Sequence, residues 1–305
     1  MALPLIPVFS LVVLGLVLRR FRLLPADVWI GLERFTYFVL FPPLMFMSII
    51  DGSFAGDAAL GLAFALASAL VTMTALMLLV RPILPANGPQ FASIFQAGIR
   101  WNGFIALGVI SGMFGREGLA LAAVGFAVLS PVNDVLGLLV LNRYGDKRDR
   151  PLLRIARSIG TNPLVISIVL AIALVQFGVR VSEPVTSTLN MLGNGTVALG
   201  LVCAGAAIDW SGFVSSKPPL AVASVARLVV MPALTAGLAY AIGLSSMTFM
   251  IAMMCVAAPV ATSTLALVQR NGGDPVLIQD AVALTTVAAA ITIPATILLT
   301  QILIG

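Results

Sequence analysis

The segment Gln96–Gly108, QAGIRWNGFIALG, places two polar side chains near the middle of an apolar run long enough to cross a bilayer. Arg100 and Asn102 are costly there, because hydrocarbon offers polar groups neither water nor hydrogen-bond partners. Three glycines, which weaken a helix, lie around them: Gly98, Gly103 and Gly108. The segment therefore predicts an interrupted membrane helix that carries polar groups at its break.

A second interruption is expected in the other half of the chain, in Ala257–Thr264, AAPVATST. Pro259 follows Ala258, has no backbone N–H, and so leaves an upstream carbonyl without its helical partner. Thr262 adds a hydroxyl close by. Broken helices that meet near mid-membrane, one in each half of the chain, are how many carriers hold a solute. The two segments together predict a transporter.

Composition favours an all-α polytopic membrane protein. The 305 residues are 60% hydrophobic and only 10% charged, with a mean hydropathy of +1.10. Long uncharged apolar runs of this kind are typical of membrane-spanning helices. A formal net charge of +5 would suggest nucleic acid in a soluble protein. Here the basic residues lie in loops, so membrane orientation explains them better and no nucleic-acid partner is expected.

The residues available for catalysis argue against an enzyme. The chain has no histidine, and its two cysteines, Cys203 and Cys255, both lie in apolar segments. Neither a disulfide framework nor a metal site is indicated. No nucleotide-binding motif is present either, so ATP-driven transport by this chain alone is not expected. We predict no enzymatic activity and no cofactor.

Ten membrane spans fit the hydropathy pattern, since each span needs about 20 apolar residues. They cover residues 3–18, 35–50, 58–80, 90–113, 118–141, 159–178, 184–208, 218–241, 246–269 and 276–303. Pro42 and Pro43 predict a break in the second span. The fourth and ninth spans contain the two interruptions described above.

The distribution of Lys and Arg gives the ten spans an orientation. Of 17 basic residues, thirteen fall in loops on one side and two, Arg116 and Arg180, in loops on the other. The thirteen are Arg19, Arg20, Arg22, Arg34, Arg81, Arg143, Lys147, Arg148, Arg150, Arg154, Arg157, Lys217 and Arg270. By the positive-inside rule these face the cytoplasm, so both termini face the periplasm of a bacterial inner membrane.

The longest connection between spans divides the chain into two halves of five. Residues 1–142 form the first half, 143–158 a cytoplasmic linker, and 159–305 the second half. Because each half has an odd number of spans, the second enters the membrane from the opposite side. This predicts an inverted repeat with broken helices at its fourth and ninth positions.

Two further charged residues lie within spans and admit two interpretations each. Asp134 could form a structural ion pair with Arg100, or it could accept a proton coupled to transport. Arg227 could lie buried in the membrane, or extend its guanidinium to the cytoplasmic surface. The sequence decides neither question. If Asp134 does not neutralise Arg100, the arginine sets a positive potential and Asn102 supplies amide donors to an anionic substrate.

Several segments, in their order and spacing, resemble the auxin efflux carrier family in its compact bacterial form, the malate or malonate permease-like proteins. They are FPPLMF at 41–46, RWNGFI at 100–105, GREGLA at 115–120, NPL at 162–164, AP at 258–259 and GGD at 272–274. The resemblance covers nearly the whole chain.

This resemblance implies a fold of two inverted five-helix repeats whose crossover helices are the fourth and ninth. It implies that Asn102 and Pro259 mark the substrate site. Spans 1, 2, 6 and 7 would form a scaffold, often dimeric, against which spans 3–5 and 8–10 move. The fourth span lacks the proline that many relatives place after the asparagine. In PVNDV at 131–135, Asp134 stands where the family pattern proline-x-x-asparagine-valine has its asparagine.

The sequence thus predicts a secondary transporter of small organic anions that works by alternating access. The permease resemblance implies that these anions are carboxylates. The residues predicted to bind the substrate are Arg100, Asn102, Asn133, Asp134, Pro259 and Thr262. A sodium-coupled symporter of the related bile acid type is one alternative, and a channel or membrane sensor is another. The anion, the coupling to protons or sodium, and the direction of transport stay open.

Overall fold

The computed structural model describes residues 3–52, 56–147, 160–209 and 217–304, and these form helices without a strand. The α-helices are α1 (Leu5–Arg20), α2 (Ala26–Phe35), α3 (Phe41–Asp51), α4 (Gly56–Val80), α5 (Gly88–Ile99), α6 (Gly103–Tyr144), α7 (Pro163–Gln176), α8 (Glu183–Asn194), α9 (Thr196–Ala206), α10 (Lys217–Val225), α11 (Met231–Ile242), α12 (Ser246–Ala257), α13 (Thr264–Asn271) and α14 (Pro275–Ile304). Most of the predicted linker, including Arg148 and Arg150, lies outside the described residues.

Six helices in the described ranges are long and apolar enough to cross a membrane. They are Asp27–Asp51, Gly56–Ile83, Gly103–Tyr144, Glu183–Ala206, Lys217–Ile242 and Pro275–Ile304. Helices α7 and α12 are also apolar but shorter. The prediction of an all-helical, multi-pass membrane protein is confirmed in this coarse form. The ten-span inverted repeat stays a prediction.

Helix α6 is too long to cross a membrane once. Its 42 residues correspond to about 63 Å at 1.5 Å per residue, about twice the hydrocarbon thickness. Gly115 interrupts it with φ 56° and ψ −139°, a conformation that glycine adopts readily because it has no side chain. This bend falls between the predicted fourth and fifth spans.

The second predicted span differs from its expected form. Pro42 and Pro43 do not break it, because they lie in the first turn of α3, directly after a π-helical turn at Thr36–Leu40. The wider π-helical turn accommodates the two prolines, which have no backbone N–H, and the helix continues from Asp27 to Asp51. The predicted break was therefore wrong. Arg34, assigned to a loop, lies inside this helix as well.

Helices α1, α3, α7, α8 and α9 pack together as one group. Within it, α1 and α9 cross closely at two glycines. A Cβ atom on Gly15 would run into the carbonyl of Val202, and one on Gly205 would run into the carbonyl of Val12. Only the absence of both side chains lets the two backbones approach this far.

The other group packs around α5 and α12, the helices that precede the two interruptions. Helices α6, α10 and α14 contact α5, while α4, α6, α11 and α14 contact α12. Helix α6 also touches α3, α7 and α9 of the first group, so it lies along the boundary between the two.

Candidate functional site

The two predicted interruptions meet each other. Trp101 and Val260 form an isolated antiparallel bridge. On one side of it the Asn102 N–H donates to the Pro259 carbonyl at 2.8 Å, and on the other the Ala261 N–H donates to the Arg100 carbonyl at 3.2 Å. Each break thus satisfies polar backbone groups of the other, which an isolated break in hydrocarbon could not do.

Local sequence explains why both helices stop at this point. Helix α12 ends at Ala257, and Ala258 is extended with ψ 146° because it precedes Pro259. Helix α5 ends at Ile99, and Arg100 is extended with ψ 120°. The next helix begins at Gly103, where the Asn102 side chain serves as its N-cap.

The Asn102 amide is fixed in orientation by that cap. Its Oδ1 accepts hydrogen bonds from the N–H groups of Phe104 at 3.1 Å and Ile105 at 3.3 Å. The Nδ2 group must therefore face the other way. It is buried and has no hydrogen-bond partner among the described residues. An amide nitrogen can only donate, so this site offers a donor to an incoming acceptor such as a carboxylate.

Arg100 and Asp134 form an ion pair, with Nη1 and Oδ1 2.9 Å apart. Their side chains are 19% and 15% exposed, so the pair is shielded but not sealed. This pairing is one of the two possibilities that the sequence left open for Asp134. It does not by itself separate a structural role from a role in coupling. The neighbouring Asn133 is more deeply buried, at 4% exposure, and its Oδ1 has no partner among the described residues.

A polar network that joins both helix groups surrounds this ion pair. The Tyr37 hydroxyl, in the π-helical turn, lies close to Ser130 and Asn162. Asn162 Nδ2 donates to Ser130 Oγ at 2.9 Å, while its Oδ1 caps α7 through the N–H of Leu164 at 3.0 Å. The network therefore links the first helix group to the same stretch of α6 that carries Asp134.

The predicted residue Thr262 contacts a carboxylate that sequence reasoning missed. Its hydroxyl donates a hydrogen bond to Glu33 Oε1. Glu33 lies on α2, which belongs to the same continuous helix as α3, whereas Thr262 lies in the second break. The helix was predicted to begin at residue 35, so Glu33 fell in a loop and was not considered.

Arg227 is the second missed residue, although its intramembrane position was noted. It is 1% exposed and does not reach the surface. Its Nε donates to the Ala258 carbonyl at 2.8 Å, its Nη1 to the Gly98 carbonyl at 3.2 Å, and its Nη2 to the Val256 carbonyl. One guanidinium thus caps the C-terminal ends of both α5 and α12, the ends where carbonyls lack helical partners.

The three glycines predicted at the first break allow close packing. None has a positive φ. A Cβ on Gly103 would lie 2.5 Å from the Phe126 ring, which in turn contacts the Trp101 ring at a centroid distance of 4.4 Å. Gly98 packs against methionine side chains, and Gly108 packs within regular helix against Leu201. The break itself falls at Arg100–Asn102, between the first two glycines.

No cluster of three or more metal-ligating side chains occurs in the part of the chain that the structure describes. The polar groups at the crossing are hydrogen-bond donors, one ion pair and one further carboxylate. They are suited to binding and releasing a polar solute.

Residues 1–297 match the family described as membrane transport protein. The chain belongs to this family, that of the auxin efflux carriers. It is similar to the uncharacterized transporter MJ1031 of Methanocaldococcus jannaschii, with 29% identity over 197 residues, 63% of this chain and 62% of that protein. It is also similar to an uncharacterized transporter of Methanothermobacter thermautotrophicus, with 23% identity over 289 residues and 94% of each chain.

The match to MJ1031 spans less than two thirds of that protein's length, while the match to the second relative is nearly complete. Family membership confirms the resemblance derived from the sequence motifs, and it makes this chain a membrane transport protein.

Proposed function

We propose that this protein is a secondary transporter that carries small organic anions, in particular carboxylates, by alternating access. The observation that carries the proposal is the Asn102 amide, which is fixed at the crossing of two broken helices. Its buried Nδ2 has no partner in the part of the chain that the structure describes. A buried donor without an acceptor is unfavourable, and a bound carboxylate oxygen would satisfy it.

Electrostatics at the crossing also support an anion. The C-terminal ends of α5 and α12 carry partial negative charge, which Arg227 offsets through its three carbonyl contacts. The helix that starts at Gly103 presents its positive end to the same region. Arg100 adds a guanidinium, although Asp134 balances its charge in this conformation. An anion that enters could share Arg100 with Asp134 through the free donors of the guanidinium.

Contacts between loops support the ten-span inverted repeat and its orientation. Each pair joins loops predicted on the same side. Arg116 lies 3.5 Å from Asp51, both predicted outside. Arg19 lies 3.6 Å from Asp209, and the Asp146 N–H donates to the Gly272 carbonyl at 2.8 Å; all four are predicted inside. We keep the periplasmic termini and the inner-membrane location as part of the proposal.

The division into two helix groups supports movement of one against the other. The first group consists of the helices in proposed spans 1, 2, 6 and 7, and the second of those in spans 3–5 and 8–10. We propose that the first is the scaffold, in a homodimer, and that the second carries the substrate. Both breaks belong to the second group, so the site would travel with it.

One experiment separates the proposed carrier from the sodium-symporter and channel alternatives. The purified protein in liposomes is tested with a panel of labelled carboxylates, with and without proton or sodium gradients. We expect saturable carboxylate uptake, and family membership supports this permease role. Uptake that requires sodium would favour the symporter, and flux without saturation would favour a channel. Absence of any carboxylate flux contradicts the proposed function.

A further inference from the structure

We propose that Glu33 is the residue that binds the coupling proton, so that an organic anion and a proton are transported together. The inference rests on the proposed function and adds its coupling ion. Glu33 belongs to the proposed scaffold, and its Oε1 accepts a hydrogen bond from Thr262 in the second break. The contact therefore bridges the fixed and moving helix groups.

The surroundings of Glu33 differ from those of Asp134. Asp134 has the Arg100 guanidinium 2.9 Å away as its ion-pair partner. In the described part of the chain, no Lys or Arg side chain lies within ion-pair distance of Glu33. Two groups from other elements lie near it, the Thr262 hydroxyl and the Cys203 thiol of α9. A partly buried carboxylate without a cation gains more from protonation than one that is paired.

Glu33 is also connected to the proposed anion site through a short path. Thr262 follows Ala261, whose N–H donates to the Arg100 carbonyl at 3.2 Å. An ionised Glu33 would repel an anion bound at the crossing, whereas a neutral Glu33 would not. Binding of the anion therefore favours binding of a proton from water by Glu33, and the reverse holds equally.

Protonation also weakens the contact between the two helix groups. A hydroxyl bonded to an ionised carboxylate is a charge-assisted hydrogen bond, roughly twice as strong as its neutral equivalent. When Glu33 takes up a proton, the bond from Thr262 loses this charge assistance. Protonation of Glu33 thus removes the repulsion of the anion and weakens the hydrogen bond between the crossing and the scaffold. Release of the proton after transport brings back both the repulsion and the stronger hydrogen bond.

Anion affinity measured against pH tests this proposal. Malonate, a dianion at neutral pH and above, is titrated calorimetrically into the purified full-length chain. The parent should lose affinity by about tenfold for each pH unit above the titration of Glu33, as expected for one linked proton. Glu33→Gln should bind malonate with an affinity that no longer varies with pH. In liposomes it should exchange the anion but not accumulate it in response to a proton gradient.

Glu117→Gln serves as the matched control, because Glu117 is exposed at the bend of α6. It should keep the parental pH profile. If Glu33→Gln fails to fold, Thr262→Val keeps the carboxylate but removes its donor. Glu33 then binds a proton more readily, so the pH at which half of the malonate affinity is lost should rise.

Three results overturn the proposal and can be told apart. Binding whose pH dependence is the same in Glu33→Gln and in the parent overturns the role of Glu33 while leaving the anion site intact. An unchanged midpoint in folded Thr262→Val does the same. A parent that binds neither malonate nor any other carboxylate of the panel overturns the proposed function, and the role of Glu33 falls with it.

Discussion

The backbone N–H of Asn102 donates a hydrogen bond to the Pro259 carbonyl at 2.8 Å, which joins residues from opposite halves of the chain. Asn102 also caps α6, and Pro259 is the residue that prevents α12 from continuing. Each residue lies where a helix ends or begins, and its backbone is the hydrogen-bond partner of the other residue. The crossing is therefore one cooperative unit rather than two independent defects.

Arg227 is expected to hold this unit together. In Arg227→Met the carbonyls of Gly98, Val256 and Ala258 lose their donors while they stay buried, so we expect a loss of about 3 kcal/mol or more in stability. The measurement is the unfolding temperature of the purified protein in detergent. Arg180→Met, at an exposed position, is the control. Equal unfolding temperatures for the two variants would contradict the capping role.

The Arg100–Asp134 pair makes a prediction about non-additivity. Arg100→Leu and Asp134→Leu each leave an uncompensated charge, which typically costs about 3–5 kcal/mol when a buried pair is broken. The double variant leaves none, so it should unfold at a higher temperature than either single variant, even if transport is lost. Purely additive losses would mean that the 2.9 Å contact contributes no coupling.

The close α1–α9 crossing predicts that the stability of the protein depends strongly on side-chain size at Gly205. Gly205→Ala places a methyl group against the Val12 carbonyl, so the two helices must separate and the folded yield and unfolding temperature should fall. Gly237→Ala is the matched control, since nothing lies within 4 Å of its added methyl group and alanine favours a helix. Similar unfolding temperatures for both variants would show that the close approach is not required.

The proposed orientation predicts which residues can be labelled from outside the cell. Both natural cysteines are buried, so single cysteines can be introduced with little background. Arg180→Cys should react with a membrane-impermeant maleimide in intact cells, and Arg148→Cys only after permeabilisation. Labelling of Arg148→Cys from outside would overturn the orientation and the inverted repeat derived from it.

Sequence reasoning located the first break and named Arg100 as a candidate partner of Asp134, because charged residues in apolar spans have few ways of being stabilised. Two opposite charges in successive spans are natural partners. The second break could be predicted as readily, because proline lacks a backbone N–H in any surroundings and Pro259 therefore interrupts the helix.

Other features depended on tertiary contacts that no local pattern encodes. The hydrogen bond between Glu33 and Thr262 joins residues 229 positions apart. Arg227 could be recognised as intramembrane, but its three carbonyl partners belong to two helix ends brought together only by the fold. Pro42 and Pro43 were misjudged because a π-helical turn can absorb missing donors without ending the helix.

The central claim is that the Asn102 amide binds the carboxylate of a transported anion. Asn102→Ser tests it most directly, because serine is also a good N-cap and so keeps α6 in place while the amide donor is removed. Asn194→Ser, at an exposed position, is the control. The measurement is the affinity of the purified protein for the carboxylate that the parent binds best. We predict that Asn102→Ser loses about 1–3 kcal/mol of binding free energy, about 5- to 150-fold in affinity, and that the control keeps the parental value. Parental affinity in a folded Asn102→Ser protein would contradict the account.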